Sequence, residues 1–504
     1  MELKDLFYSW VPLYIRLPVL YILFLVILVA NGVFLSTISN IYSDLGVQEE
    51  AYTQAYNAMY IGMGLGLIAH VRLKLRFSNK TLLLAGLVVM LTMNIVCATT
   101  STPALAVAAC LVLGFAKISA LIEIYIIWIV IWSKKLDTSR VYPFVYFTAL
   151  AGLYLMYWVN SRFAYIYDWR NAYGVVIILL LVCIVFTLVF TENHPLRRKV
   201  PLYRFDWLGL FLLGSAMMTL NYAVVCGMVE DWFSSVKIVA AFFISAILLL
   251  AFIRRELITR HPIFDLGLFK KPTFRLGLFY LLLLALFTPS TLQSAFAGGV
   301  LHYETYRIMQ LNLYLIPGVL AGCFFCYGWY YFKLDPEPLI FLGFLSFVSY
   351  HFLLYNSFSN EFTITDFWWP SIIKGFGTTL LYIGLGLYTT QKLPLMGILA
   401  ASGALIITRS FIGGGISTAI YGYLFYRQRI GHFNYLAERS DSGNSLLHGK
   451  PSATYRYLQE QAVLSACKEM SGYIIIAGVV VLVLVLSIYA MHKLNNNTVA
   501  KPGA

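Results

Sequence analysis

Two ionisable residues, Lys117 and Glu123, lie within one long apolar stretch of the chain, Pro103–Trp132. Both are predicted to lie in hydrocarbon, where an ionisable side chain costs at least about 2.5 to 3.5 kcal/mol and usually faces a cavity or a partner. In a helix the two residues are about 120 degrees and about 9 Å apart, so we expect each to have its own partner elsewhere. Their presence predicts a membrane transport pathway. The alternative is a buried ion pair that only fixes helix packing.

The other ionisable residues inside predicted membrane spans are cationic, namely Lys374 and Arg409. If these two residues and Lys117 face one cavity, an anionic or zwitterionic amphiphile is favoured as the ligand. Glu123 is the only acidic residue predicted inside a span, and a buried carboxyl group can exchange a proton when its surroundings change. Glu123 is therefore the candidate for proton coupling, with Lys117 or Arg409 as the expected neighbouring cation.

The composition places these residues in a polytopic membrane protein. Of 504 residues, 60% are hydrophobic and only 12% are charged, which is too apolar for a soluble core of this length. The net charge of +13 comes from short Lys and Arg clusters between apolar segments rather than from one basic face, so we predict no nucleic-acid partner. Six of the seven cysteines lie in apolar segments, and Cys467 lies in a predicted polar loop. We predict no disulfide framework and no metal site, and we interpret Cys323 and Cys326 as packing residues.

Spans of about 20 apolar residues indicate membrane helices. Fourteen are predicted, in a 6+2+6 arrangement: Leu17–Ile41, Tyr52–Val71, Lys80–Ala98, Pro103–Trp132, Val141–Ala164, Arg170–Phe190, Trp207–Val229, Lys237–Ile253, Phe274–Leu292, Met309–Tyr331, Pro338–Tyr355, Phe367–Thr389, Met396–Phe425 and Met470–Met491.

The predicted fold class is therefore all-α and polytopic. The chain is predicted to divide into three segments. Residues 1–200 form an N-terminal six-helix half, and residues 201–270 form two inserted helices with linkers. Residues 271–504 form a C-terminal six-helix half with a long external loop over 426–470. That loop is expected to be ordered at both flanks. Lys and Arg accumulate on one side of the predicted spans, which places both termini in the cytoplasm. We read no removable signal peptide in Met1–Arg16.

A weak internal repeat supports two related halves. Gly114-Phe115-Ala116 in the fourth predicted helix matches Gly375-Phe376-Gly377 in the fourth helix of the second half. Small-residue patches of this kind allow two helices to approach closely. Chance similarity between glycine-containing apolar helices is the alternative.

Several short motifs in register along the chain resemble the major facilitator superfamily, specifically its fourteen-helix EmrB/QacA-like drug:proton antiporters. The similarity covers nearly the whole chain. The motifs are Asp168-Trp169-Arg170, Asp206-Trp207-Leu208-Gly209, Asp231-Trp232-Phe233, His261-Pro262-Ile263-Phe264-Asp265-Leu266 with Leu268-Phe269, and Arg409 followed by Gly413-Gly414.

The functional motifs of that family are altered in this sequence. In the loop after the second helix, Arg76 and Lys80 are kept as candidate gating residues, but Leu75 stands at the position of the family's acid. The family's membrane aspartate in the first helix corresponds to Asn31, which cannot carry a proton at ordinary pH. Its arginine in the fourth helix corresponds to Cys110. The resemblance thus implies the major facilitator fold, while Asn31, Lys117, Lys374 and Arg409 are the candidates for lining the substrate cavity.

The resemblance implies a secondary active transporter that exports amphiphilic small molecules by alternating access, with no cofactor but with a proton gradient as the suspected energy source. An importer or uniporter of an organic anion, or a degenerate transporter acting as a sensor, is the alternative. An enzyme is not expected, because no paired-ligand helix and no phosphate-binding loop is present in the sequence. The family implies the bacterial inner membrane as the location. It also implies a periplasmic adaptor and an outer-membrane channel as partners, with the external loop as the docking surface.

Overall fold

The computed structural model describes residues 6–132, 138–193, 205–259, 262–391, 393, 395–440 and 451–499. The fold is all-helical, and the one β-bridge in the described part joins Phe7 to Thr191. The helices are α1 Leu13–Val29, α2 Ile38–Leu45, α3 Glu49–Lys74, α4 Asn79–Thr99, α5 Pro103–Trp132, α6 Tyr142–Ile166, α7 Trp169–Phe190, α8 Trp207–Val225, α9 Val236–Ile258, α10 Pro272–Leu284, α11 Thr291–Gly299, α12 Thr305–Gln310, α13 Leu315–Tyr331, α14 Pro336–Ser357, α15 Trp368–Thr390, α16 Leu395–Ile406, α17 Ser417–Glu438 and α18 Pro451–Val499, with a π-helix over Ile407–Ile416.

Ten helical segments of the described part are long and apolar enough to cross a membrane, and two shorter apolar helices, α1 and α10, accompany them. The chain is therefore a multi-pass membrane protein, as its composition predicts. The helices α3 and α15 correspond to predicted spans but fall outside that set of ten. The count of fourteen spans and their 6+2+6 arrangement stay predictions.

The first predicted span is not continuous. The sequence predicts one helix over Leu17–Ile41, but α1 ends at Val29, residues 30–37 are unwound, and α2 begins at Ile38. The predicted helix over Phe274–Leu292 is wrong in the same way, because α10 ends at Leu284 and α11 begins at Thr291. The apolar composition of the first segment hides its break from a span count, whereas the second break contains Thr288-Pro289-Ser290, a signal that the count overlooked.

The long predicted loop over 426–470 is mostly helical. The helix α17 continues to Glu438 and α18 begins at Pro451, so the expected order at both flanks is confirmed. The turn region at 441–450 lies outside the described residues. Cys467 is fully buried within α18 rather than placed in a polar loop, which corrects that prediction.

The chain forms two compact units. Unit 1 contains residues 1–282 and 386–419, and unit 2 contains residues 283–385 and 420–504. These units group the helices differently from the three predicted segments with boundaries at 200 and 270. Those segments describe the order of helices along the chain and stay a prediction.

Close helix crossings support the internal repeat. In unit 1 a Cβ on Gly62 would lie 2.1 Å from the Leu111 carbonyl oxygen, and a Cβ on Gly114 would lie 2.0 Å from the Met59 carbonyl oxygen. These distances leave no room for a side chain, so α3 and α5 cross backbone to backbone.

Unit 2 repeats the crossing with α13 and α15. A Cβ on Gly318 would lie 1.9 Å from the Ile372 carbonyl oxygen, and one on Gly375 would lie 2.3 Å from the Leu315 carbonyl oxygen. Each contact lies three residues before the paired glycine, as in unit 1. Gly114 and Gly375 are therefore equivalent positions, as the sequence repeat predicts.

The Trp-Arg motif at the start of α7 holds the end of α2. Asp44 accepts hydrogen bonds of 3.0 Å from Trp169 Nε1 and 3.0 Å from Arg170 Nη1. Asp168 caps α7 by accepting from the Arg170 backbone N–H. The hydrogen bond from Trp169, followed by that from Arg170, holds the pKa of the Asp44 carboxyl below its usual range.

The lowered pKa of Asp44 predicts a pH-dependent contribution to stability. A carboxyl group with a lower pKa in the folded protein stabilises the fold above its unfolded-state pKa of about 4, and the stabilisation is lost as pH falls through the folded value. We expect Asp44→Asn to lower the thermal midpoint of the protein in detergent near pH 7, with the difference from wild type shrinking below about pH 4. The exposed Glu361, changed to Gln, is the control. A difference that does not shrink at low pH would contradict the role of the ionised Asp44.

Candidate functional site

Lys117 of α5 lies against the break in the first predicted span. Its Nζ donates to the Leu28 carbonyl at 2.8 Å and to Asn31 Oδ1 at 2.5 Å. Leu28 is in the last turn of α1, where carbonyl groups lack partners within the helix. Lys117 is 3% exposed and Asn31 is 2% exposed, so the contact is buried. The structure thus brings together two of the predicted cavity residues.

Lys117 lies near the middle of α5. It is about 21 Å from the first residue of a helix about 45 Å long, given a rise of 1.5 Å per residue. Gly32, in the break, allows this approach, because a Cβ there would lie 2.7 Å from Cys110 Sγ of α5. The unwound segment is therefore packed directly on the helix that carries the lysine.

Glu123 has partners on α3 rather than on the cations that the sequence suggested. The ammonium of Lys74, in the last turn of α3, donates to Glu123 Oε2 and also to Asn79 Oδ1 at 2.5 Å. The Nε2 of His70 lies 3.3 Å from Glu123 Oε1, without the alignment of a hydrogen bond. The expectation that Lys117 and Glu123 do not pair directly is confirmed. The expectation of Lys117 or Arg409 as the neighbouring cation of Glu123 is wrong.

This second cluster lies at the end of α5 that adjoins the α3–α4 turn. The side chains of Glu123 and His70 are 1% exposed, whereas that of Lys74 is 25% exposed. Water therefore reaches the cluster from the side of Lys74. A carboxylate held between an ammonium and an imidazole can fix the turn against α5.

Arg409 lies in the π-helix between α16 and α17. Its Nη1 donates to the Tyr146 hydroxyl at 2.9 Å, and its guanidinium lies 5.6 Å from the centre of the Tyr146 ring. Of the glycines that follow Arg409, Gly415 allows close packing, since a Cβ there would lie 2.7 Å from Asn57. Single turns of π-helix often occur at functional positions.

Lys374 of α15 lies at the second break, between α10 and α11. Its Nζ donates to Ser290 Oγ at 3.0 Å and lies 4.8 Å from the centre of the Tyr350 ring. Lys374 is 5% exposed. The helices α5 and α15 are equivalent in the repeat, and Lys374 lies one helical turn earlier on α15 than Lys117 lies on α5. Each lysine contacts a residue at or beside a break between two helices.

The two candidate gating residues lie beside the α3–α4 turn. Lys80 Nζ donates to the carbonyls of Thr191 at 2.6 Å and Leu188 at 3.3 Å, so it caps the end of α7. Arg76 is half-buried in the turn itself. The structure does not test their role in gating.

Sequence reasoning missed His70, Lys74 and His351. Lys74 was counted as a loop charge, although it is the residue directly before Leu75, which stands at the acid position of the loop motif. His70 lies four residues before Lys74, so the two share a helix face, and this spacing was the available signal. His351 is 2% exposed in the apolar helix α14, and the sequence pattern did not identify it as a candidate. Among the described residues no group of three or more His, Cys, Asp or Glu is arranged to hold a metal ion.

The Lys74–Glu123 pair yields a stability prediction. Lys74→Met leaves a buried carboxylate without its cation, and we expect a loss of about 1–3 kcal/mol in the free energy of unfolding. Lys74→Met combined with Glu123→Gln should recover much of this loss, because the uncompensated charge is gone. Thermal unfolding in detergent measures both, with Lys237→Met as an exposed control. Additive losses in the double variant would contradict the pairing.

Sequence comparison finds relatives that are named as export and resistance proteins. The profile described as Major Facilitator Superfamily matches residues 20–418. The multidrug export protein EmrB of Escherichia coli K12 is 25% identical over 323 residues, which cover 62% of this chain and 59% of that protein. The fatty acid resistance protein FarB of Neisseria gonorrhoeae is 27% identical over 290 residues, which cover 54% of this chain and 53% of that protein. The matches thus span less than two thirds of the length of these relatives.

Solved structures show the same fold at low identity. The human organic anion transporter MFSD10 superimposes with a TM-score of 0.52 at 12% identity, covering 93% of this chain and 99% of that one. Tetrameric PepTSo2 superimposes with a TM-score of 0.57 at 13% identity, covering 94% and 98%. Because the profile match covers most of the sequence, this chain belongs to the Major Facilitator Superfamily, a superfamily of transporters rather than enzymes, and its sequence is similar to that of EmrB at low identity.

Proposed function

We propose that this protein is a secondary active exporter of amphiphilic small molecules, preferring anionic ones, and that a proton gradient drives it by alternating access. The observation that carries the substrate preference is the surroundings of Lys117 and Lys374. Both are buried, and the groups that accept from them are a backbone carbonyl, an amide and a hydroxyl, all neutral. Neither lysine thus has a counter-charge among the described residues, so both leave positive charge in the protein interior that favours an anionic ligand. Asn31 and Arg409 remain candidates for lining the same pathway.

The names of the relatives support export of amphiphiles. EmrB is described as a multidrug export protein and FarB as a fatty acid resistance protein. A fatty acid is an anionic amphiphile, which matches the cationic character of the buried lysines. We place the protein in the bacterial inner membrane with both termini in the cytoplasm and with fourteen spans. The ten apolar segments, the shorter α1 and α10, and the helices α3 and α15 supply one helix for each predicted span.

For proton coupling we propose Glu123, with His70 and Lys74 as its partners. Protonation of Glu123 removes the charge that holds Lys74, so proton uptake is linked to the position of the α3–α4 turn. Arg76 and Lys80 lie in or beside this turn, which makes them gating candidates on the same argument.

The coupling proposal predicts the behaviour of Glu123→Gln in proteoliposomes. Decanesulfonate is a suitable substrate, because its charge does not titrate and any pH effect then belongs to the protein. We expect Glu123→Gln to abolish accumulation driven by a pH gradient and to keep downhill exchange. The control Glu361→Gln should behave as wild type. If Glu123→Gln accumulates decanesulfonate at the normal rate, Glu123 is structural. If the wild type moves decyltrimethylammonium but not decanesulfonate, the anionic preference is wrong.

We also propose a periplasmic adaptor and an outer-membrane channel as partners, with the hairpin of α17 and the first part of α18 as the docking surface. In this hairpin His432 Nε2 lies 2.6 Å from Glu469 Oε2, and the rings of Phe433 and Tyr455 lie 5.5 Å apart. Their contacts order a helical surface where a loop was predicted.

The docking surface is tested by copurification. We expect the intact protein to recover an adaptor from its own host, and a variant shortened between Ser440 and Pro451 to recover less. Thermal stability of the shortened variant serves as the folding control. Recovery of no adaptor with either version would count against the partner proposal.

A further inference from the structure

The two buried lysines have opposite electrostatic surroundings, although each contacts a broken helix. Lys117 lies at the C-terminal end of α1, with its Nζ 2.8 Å from the Leu28 carbonyl oxygen. The C-terminal end of a helix carries a partial negative charge, so an ammonium is stabilised there. The Lys117 ammonium therefore gives the Leu28 carbonyl the hydrogen-bond donor that it lacks in the helix, and this carbonyl in turn gives the ammonium an acceptor.

Lys374 lies at the other kind of helix end. Its acceptor Ser290 is the N-cap residue of α11, and the Ser290 side chain does not cap the N–H groups of that helix. The N-terminal end of a helix carries a partial positive charge and is a common place for anions to bind. An ammonium beside such an end is not stabilised by it. The carbonyl end of this break has a different partner, because the Tyr421 hydroxyl donates to the Leu286 carbonyl at 2.5 Å.

Hydroxyl groups without partners lie next to both Lys374 and Ser290. Ser371, three residues before Lys374 on α15, is 1% exposed, and Thr291 follows Ser290. Neither hydroxyl has a hydrogen-bond partner among the described residues. Buried polar atoms nearly always have partners in native proteins, so unpartnered ones call for an explanation. Two donors beside a cation and a helix N-terminus point to a missing acceptor.

A buried imidazole completes the surroundings. His351 is 2% exposed, and its ring centre lies 4.8 Å from that of Tyr350, which in turn lies 4.8 Å from Lys374 Nζ. The Phe287 carbonyl approaches the imidazole. At least one of its ring nitrogens has no hydrogen-bond partner in the described part of the chain. It is a third polar group available to a ligand at this break.

We propose that the α10–α11 break binds the anionic head group of the transported molecule, with Lys374 as its counter-charge and the first turn of α11 and the Ser371 and Thr291 hydroxyls as donors. This inference rests on the proposed function, because it locates the site for the charged end of the substrate. A carboxylate or sulfonate fits, since each carries one negative charge and several acceptor oxygens. Lys117, held by α1, is a structural cap and not the head-group site.

The test compares Lys374→Met with Lys117→Met in the purified full-length protein. Without ligand, we expect Lys117→Met to lower the thermal midpoint, because it leaves buried acceptors unpaired. Lys374→Met should keep or raise the midpoint, because it removes a buried charge that has no counter-charge in the part of the chain that the structure describes. The exposed Lys237→Met controls for the loss of a surface charge, and Lys374→Arg tests whether a cation alone restores binding.

Binding is measured by calorimetry with decanesulfonate, with decanol as the uncharged match and methanesulfonate as the head group alone. In Lys374→Met we expect decanesulfonate to bind about tenfold or more weakly, with decanol unchanged. In Lys117→Met the loss should be smaller at temperatures where the variant is folded. Methanesulfonate should bind far more weakly than decanesulfonate. Equal binding of the two would show a site for small anions of any kind, which overturns the proposal.

The outcomes separate this inference from the proposed function. If decanesulfonate binds Lys374→Met as tightly as wild type, the head-group site is wrong while anionic transport can still stand. If Lys374→Met loses binding but wild-type proteoliposomes do not transport decanesulfonate, the site stands and the proposed function fails. If decanesulfonate does not bind the wild type, both are overturned.

Discussion

The requirement that every backbone polar group inside a membrane find a partner within the protein governs this structure. The chain unwinds over residues 30–37 between α1 and α2, and the carbonyl of Leu28 loses its place in the helix ladder. The ammonium of Lys117 takes the position of the missing N–H donor. This contact needs α5 close to the break, and the backbone crossing of α3 and α5 at Gly62 and Gly114 holds α5 there.

The second unit meets the same requirement with different groups. Its equivalent helices cross at Gly318 and Gly375, and the chain also breaks between α10 and α11. Here a tyrosine hydroxyl satisfies the carbonyl end of the break, so the lysine is not needed for that purpose. The lysine is one turn earlier in the repeat and lies at the amino end of the following helix. A shift of a single helical turn thus changes a structural cap into a cation that can serve a ligand.

The sequence is sufficient to predict the helical membrane fold, the family, the repeat and the identity of the buried charges, because composition and short motifs report on these directly. It is not sufficient to predict the first break, since Ala30, Asn31 and Gly32 are tolerated in a helix and no proline lies between Ala30 and Thr37. The second break does carry a signal, because Thr288, Pro289 and Ser290 lie between α10 and α11, and the span count overlooked it. Asn31 and Lys117 were both identified, yet only the break explains why they meet. The partners of Glu123 were missed because Lys74 lies at a helix end. A basic residue there is normally taken to mark the cytoplasmic side of the membrane.

The α3–α4 turn carries a cation next to the position where the family's loop motif has an acid. The family's acid is replaced by Leu75, so the turn cannot present a carboxylate to a neighbouring cation. The residue before it, Lys74, instead presents an ammonium to a carboxylate on α5. The ion pair that the structure shows therefore has its ammonium at the turn and its carboxyl group on the membrane helix. This placement matters in the proposed function. The group that takes up the proton is then Glu123, which is buried in α5, whereas Lys74 at the turn keeps its charge and loses only its partner.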